Sequence, residues 1–145
     1  AFIGVDVMVG CRGETPDCFE ECRSFIEGLD VTQLHVFPYS ERPGTAALSI
    51  PYVVDDKEKK RRVHELLELS DQKTRAFYAH HAGTEQEVEK SASGKAMHGF
   101  TRNYVRVQLP EHLSKPEYDN ELLTVRIGDF NADQTAMMVE DIIQR

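Results

Sequence analysis

Apolar residues are spread unevenly along the chain, and their spacing changes character three times. Residues 2–9, FIGVDVMV, form an almost unbroken apolar, β-branched run interrupted only by Asp6, the pattern of a strand covered on both faces of a parallel sheet. A Gly-bounded turn follows, then Thr15-Pro16, a favourable N-cap and first-turn pair. Phe19, Cys22 and Ile26, with Cys18, Phe25 and Leu29, then recur at near-helical spacing until Gly28–Asp30 closes the run. TQLHVF reads as a second strand. Strand, helix, strand predicts a right-handed βαβ unit with parallel strands. Two strands and one helix enclose no complete core, so the unit is expected to belong to a larger α/β barrel or sheet. Because the buried strand opens the chain at residue 1, the sequence reads as the C-terminal part of a longer protein.

Beyond a Pro-rich stretch the period becomes helical from Asp55 to about His81. Val63, Leu66, Leu67, Ser70, Thr74, Phe77 and His81 fall on one stripe, and Glu58–Arg62 and Asp71–Arg75 can pair at four-residue spacing. Gly83 ends this connecting helix. The pattern then shortens to strands: a brief EVEKS, then HGFTRNYVRVQLP, ELLTVRIGDF and TAMMVED, separated by Gly, Pro, Asn and Asp. Val105, Val107 and Leu109 alternate with Arg106 and Gln108, as in a half-buried antiparallel strand. The expected fold is therefore α/β plus β: part of a TIM-like barrel at 1–54, a connecting helix at 55–82 and a small antiparallel β-barrel at 83–145, a scaffold often used for oligonucleotides.

Composition narrows the function classes. A chain of 145 residues with 40% hydrophobic and 29% charged side chains is globular, and no apolar run approaches a bilayer-spanning length. Three cysteines cannot all pair, which, with no leader-like start, makes the cytoplasm the expected compartment. The net charge of −8 argues against the chain as a whole gripping nucleic acid, but leaves room for a local basic face. Such a window exists: no acid lies between Glu89 and Glu111, whereas Lys90, Lys95, Arg102 and Arg106 do, interleaved with Phe100 and Tyr104. Cations with aromatics can hold phosphates and stack an unpaired base; the plainer alternative is an amphipathic hairpin with Phe100 in its core.

Cys11, Cys18 and Cys22 invite a metal reading, but no second Cys pair follows at zinc spacing and Phe25 stands where a third cluster ligand would fall. Burial as small apolar residues is expected for Cys18 and Cys22; Cys11, at a strand's C-terminal end, lies where barrel enzymes keep their sites. His80-His81 reads as helix-end solvation, and KEKKRR at 57–62 as a solvated face. Arg12 and Glu14 after the first strand, and Ser40, Glu41 and Arg42 after the second, occupy loops at the C-terminal ends of parallel strands, where ligands of α/β folds bind; the alternative is that RGET and RPGT are turn and cap chemistry only.

Taken together, VDVMVGCRGETPDCFEECRSFIEGLDVTQLHVFPYSERPGTAA, the ELLELSDQKTRAFYAHHAGTE helix, and HGFTRNYVRV with VRIGDFN resemble the C-terminal part of a radical-SAM tRNA methylthiotransferase, in the branch acting on threonylcarbamoyladenosine beside the anticodon. The resemblance covers nearly the whole chain. It implies that Gly10, Gly13 and Glu14 lie on the S-adenosylmethionine side of a radical-SAM barrel, so the cofactor-binding candidates become Gly10, Arg12, Gly13, Glu14, Ser40 and Arg42. It implies too that the last domain is a TRAM domain in which Arg102, Asn103 and Tyr104 join Lys90, Lys95 and Arg106 in binding tRNA. The parent would use S-adenosylmethionine and two iron–sulfur clusters. The cluster-binding cysteines of the family are missing here, so no metal, no catalytic residue and no bound cofactor are expected on this chain, which by itself should be inactive. Arg12 replaces the Pro of many members. Expected partners are tRNA, the N-terminal remainder of the same protein and, through the exposed βαβ unit, a second copy. A related enzyme modifying a ribosomal protein, and a non-catalytic interaction module, are the competing readings.

Overall fold

The computed structural model describes residues 1–93, 96–115, 118 and 121–144. It divides into two compact units, Phe2–Thr74 and Arg75–Arg145, with the boundary inside a long helix.

In the first unit, β1 (Gly4–Val9) pairs in parallel with β2 (Gln33–Pro38), with Val5 opposite Leu34 and Val7 opposite Val36. Helix α1 (Pro16–Glu27) makes the crossover. Its start is set as the sequence predicts: the Thr15 side chain accepts from the Cys18 backbone N–H at 3.2 Å, a cap worth about 1 kcal/mol. Gly28 is its C-cap. The core is Val9, Phe19, Ile26 and Leu34 from these elements with Leu66 and Leu69 from α2 (Asp56–His80), and Val5, Val7, Cys22 and Val36 pack around it. Each large side chain so buried contributes about 1.5–3 kcal/mol. Asp55 caps α2 by accepting from Glu58 N–H at 2.7 Å.

Several expectations change here. Only one face of β1 is covered within this chain; Gly4, Asp6 and Met8 are exposed. Of the two stripes read on α1, Phe19–Cys22–Ile26 packs inward, whereas Cys18 is exposed and Phe25 and Leu29 face solvent. A helix on one side of a two-stranded sheet has a single covered face, so the second stripe finds no partner. The expectation of a buried Cys18 is thus overturned. On α2, Leu67 is exposed and Leu69 takes its place in the core. Arg62, expected on a solvated face, is 1% exposed.

The second unit is a closed five-stranded barrel, in the order β3 (Glu85–Ser93), β4 (Ala96–Thr101), β5 (Arg106–Leu109), β7 (Met137–Gln144) and β6 (Leu122–Phe130). The first strand, read as a short EVEKS, spans nine residues; Glu85, Glu87 and Glu89 face outward, and among residues 85–89 Val88 is the buried one, so the charged positions hide the strand. The long HGFTRNYVRVQLP segment is a hairpin, with 102–105 as its turn. Closure comes from β3 pairing with β6, and from β5 and β7 running parallel at Val107–Met137 and Gln108–Met138, so the barrel expected to be antiparallel closes through one parallel pairing. Val88, Val105, Val107, Leu109, Leu123, Val125, Ile127, Met137 and Val139 fill the interior, sealed by Tyr78 of α2. Alternation along β5 and β6 places these inward and leaves Arg106 and Arg126 outward. Phe100, which the amphipathic-hairpin alternative put in the core, is 48% exposed.

Candidate functional site

Two clusters carry the residues singled out in the sequence, one in each unit.

In the first unit the loops leaving β1 and β2 are tied together. Gly10 and Gly13 hold φ of +79° and +86°, conformations that glycine adopts without steric cost, and they fold the loop so that Glu14 turns back on its origin. The Glu14 carboxylate accepts from Gly10 N–H at 2.9 Å and from Arg62 Nη1 at 2.8 Å, while Arg62 also donates to the Glu14 carbonyl at 2.7 Å. Arg62 Nε donates to Glu58 Oε1 at 3.0 Å, and its guanidinium lies 5.3 Å from the Phe19 ring centroid. The buried cation is thus paired with two carboxylates, as burial demands. Arg12 crosses to the second loop: Nε donates to Glu41 Oε1 at 2.8 Å, and Nη1 to the Leu48 and Ile50 carbonyls at 3.0 and 3.1 Å. Gly13 N–H adds a bond to the Tyr52 carbonyl at 2.9 Å.

Beside these loops, at the C-terminal ends of both strands, lies a cleft of about 380 Å³ lined by Met8, Phe37, Pro38, Tyr39, Ser40, Arg42, Thr45 and Ala47. Its floor is apolar. Ser40, Thr45 and an exposed Arg42 supply polar edges, and the buried hydroxyl of Tyr39 makes no hydrogen bond. An apolar floor with a few convergent polar groups suits a small ligand with an apolar body and a charged end. Of the cofactor-binding candidates, Ser40 and Arg42 line the cleft, whereas Gly10, Arg12, Gly13 and Glu14 build the loop framework next to it.

The thiols are less inviting. Burial and the neighbouring Glu14 carboxylate push both Cys11 and Cys22 above the usual thiol range, which suppresses the thiolate. Among the described residues no three of His, Cys, Asp and Glu stand together as metal ligands.

In the barrel, Phe100 on β4 lies opposite Arg106 on β5, side by side on the outer surface. The hairpin turn between them carries Arg102, whose side chain is largely exposed and pairs with Glu87 of β3, and Tyr104, which is 64% exposed. Tyr104 has φ of +63°, a left-handed conformation that costs a non-glycine residue roughly 1 kcal/mol or more. Asn103 is half-buried and its amide is engaged within the protein, contacting Thr101 and His81. Lys90 lies on β3 opposite Gly99, and Lys95 lies outside the described residues. Arg102, Tyr104, Arg106 and Phe100 are thereby brought to one end of the β4–β5 hairpin.

Sequence reasoning missed Arg62, His81 and Tyr39. Arg62 carried one available signal: it sits four residues before Leu66, on the buried stripe. The contact of His81 with Asn103 spans 22 residues in sequence and left no local trace.

Comparison with known proteins points to one family. Over 95% of its length the chain is 36% identical to a threonylcarbamoyladenosine tRNA methylthiotransferase of Bacillus subtilis. This chain is a relative of the tRNA methylthiotransferases. An Aquifex aeolicus protein of the same description is 32% identical over 73% of the chain, and a tRNA-2-methylthio-N(6)-dimethylallyladenosine synthase of Haemophilus influenzae is 32% identical over 88%. The chain spans 32%, 25% and 27% of these methylthiotransferases, respectively. No family model matches the chain.

Proposed function

We propose that this chain is part of an enzyme that methylthiolates threonylcarbamoyladenosine beside the anticodon of tRNA. The Phe2–Thr74 unit serves as a portion of a radical-SAM barrel, and the C-terminal barrel is a TRAM-like domain that grips tRNA. The observation that carries this reading is the similarity to threonylcarbamoyladenosine tRNA methylthiotransferases along 95% of the chain, spanning both units.

The iron–sulfur clusters of such an enzyme find no ligand set among the described residues of this chain. S-adenosylmethionine fits better: Met8 and Phe37 would pack its apolar body, and Ser40, Arg42 and the unpartnered Tyr39 hydroxyl would hold its polar end. When bound and reduced, that cofactor supplies radical chemistry. The residues of this chain orient it. Arg62 and Glu14 hold the first loop in place, Arg12 clamps it to the second, and the apolar floor would pack against the ligand. Without the remainder of the enzyme the chain is expected to be inactive.

In the barrel, Arg102 and Arg106 meet phosphates, while Phe100 and Tyr104 offer rings to unpaired anticodon-loop bases. Binding of the chain to a tRNA anticodon stem-loop, titrated at several salt concentrations, tests the grip. Affinity should fall steeply and linearly in log–log form as salt rises. Salt-insensitive binding to a ribosomal protein, with none to the stem-loop, would overturn it.

A further inference from the structure

We infer that His81 is a positioning residue of the barrel's RNA-facing turn, holding Arg102 and Tyr104 in place through the Asn103 amide. The inference rests on the tRNA-grip reading and names a residue that reading does not use.

The turn of residues 102–105 has a difficult task. It reverses the chain within a tight hairpin, carries Tyr104 at φ +63°, and presents exposed side chains on either side of Asn103. A strained backbone persists only where its surroundings over-determine it. Here a directed series of hydrogen bonds does so. Thr101, 3% exposed, receives the Val105 N–H on its hydroxyl oxygen at 3.0 Å, and its own proton goes to Asn103 Oδ1. The Asn103 carbonyl end is thereby fixed, so its Nδ2 donates in the opposite direction, to His81 Nε2 at 2.7 Å.

His81 Nε2 must then be an unprotonated acceptor. The other ring nitrogen fits that assignment. His81 Nδ1 lies 2.8 Å from the Phe77 carbonyl, which can only accept, so Nδ1 carries the proton. Taken together, a donor at Nδ1 and an acceptor at Nε2 define the neutral Nδ1–H tautomer. The ring cannot easily turn away: Phe77 packs against it at 4.7 Å between centroids, and His80 meets it edge-on at 5.6 Å. His81 is therefore a post at the end of α2, built to receive one amide, and that amide belongs to the residue between Arg102 and Tyr104. Backbone bonds also close the turn, from Tyr104 N–H to the Thr101 carbonyl and from Thr101 N–H to the Val105 carbonyl, each at 3.0 Å, whereas the Arg102–Glu87 ion pair is exposed and competes with phosphate rather than ordering the backbone.

Two measurements on the full chain test this. A long-range proton–nitrogen correlation spectrum should show His81 protonated at Nδ1 and bare at Nε2; the opposite tautomer, or an imidazolium, at neutral pH overturns the inference. Affinity for a tRNA anticodon stem-loop should drop about tenfold in His81→Leu, the order of cost for re-ordering one or two side chains on binding. His81→Gln, whose amide oxygen can accept from Asn103, should restore it. Parent and Leu variant binding equally would overturn this role alone, as would a Gln variant no better than Leu. A parent chain that binds no stem-loop, with the tautomer as stated, would overturn the tRNA grip and the role together.

Discussion

Arg62 Nη1 donates to both the carbonyl and the carboxylate of Glu14, at 2.7 and 2.8 Å. This bond pair joins the start of α2 to the loop that leaves β1, 48 residues away in sequence. Removing one partner of a buried ion pair costs more than the pair contributes, because the survivor stays desolvated. Arg62→Met should therefore destabilise the chain by about 3 kcal/mol, read as a lower urea midpoint. Arg61→Met, which removes a more exposed partner of Glu58 and Glu65, should cost under about 1 kcal/mol.

Glu58 has an acid response of its own. Hydrogen bonds from Arg61 and Arg62 hold its carboxyl down at about 2, against an ordinary value of 4.5. A depressed folded pKa gives stability that is complete above the unfolded value and is lost as protons bind the folded carboxylate. The contribution should thus disappear as pH falls from 4.5 towards 2, and Glu58→Gln should flatten urea midpoints across that window. The group is partly exposed, so added salt should shrink the difference.

Gly10 and Gly44 separate strain from crowding. Both have positive φ, +79° and +80°, but a Cβ at residue 10 would run into Lys59 Cγ, whereas nothing lies within 4 Å at residue 44. Gly44→Ala should cost about 1 kcal/mol, and Gly10→Ala about 1–3 kcal/mol, compared by thermal or urea unfolding.

The three thiols should react in an order set by exposure and charge. Cys18 is exposed and should alkylate first with iodoacetamide near neutral pH. Cys11 and Cys22, raised by burial and by Glu14, should lag and gain speed as pH increases. Mass spectrometry of quenched samples reads the order directly.

Phe100 and Arg106 face each other across the β4–β5 ladder, yet they should fail differently. Arg106→Ala should weaken stem-loop binding and reduce the salt slope by about one. Phe100→Ala should lose about 1–3 kcal/mol of stacking with the slope unchanged.

Periodic features were legible in advance. The Thr15 cap, the Gly28 stop, the βαβ order, the long helix and the barrel strands all follow from short-range patterns, and the structure keeps them within a few residues. The candidate loops were legible too, because loops at the C-terminal ends of parallel strands follow from the βαβ order alone. Which side chains do what inside those loops was not. Glu14, Arg12 and Asn103 read as ligand candidates, but each is engaged by residues of this chain.

Local spacing and turn chemistry thus determined which segments are helix and which are strand, since capping, glycine conformations and the periods of two and 3.6 act between near neighbours. Tertiary structure decided which apolar stripe of α1 is covered, that Arg62 is buried rather than solvated, and that His81 receives Asn103. Each of those outcomes depends on what a distant segment brings to the contact, whether an apolar face, a carboxylate or an amide. Desolvation and hydrogen-bond direction are set only when both partners are in place.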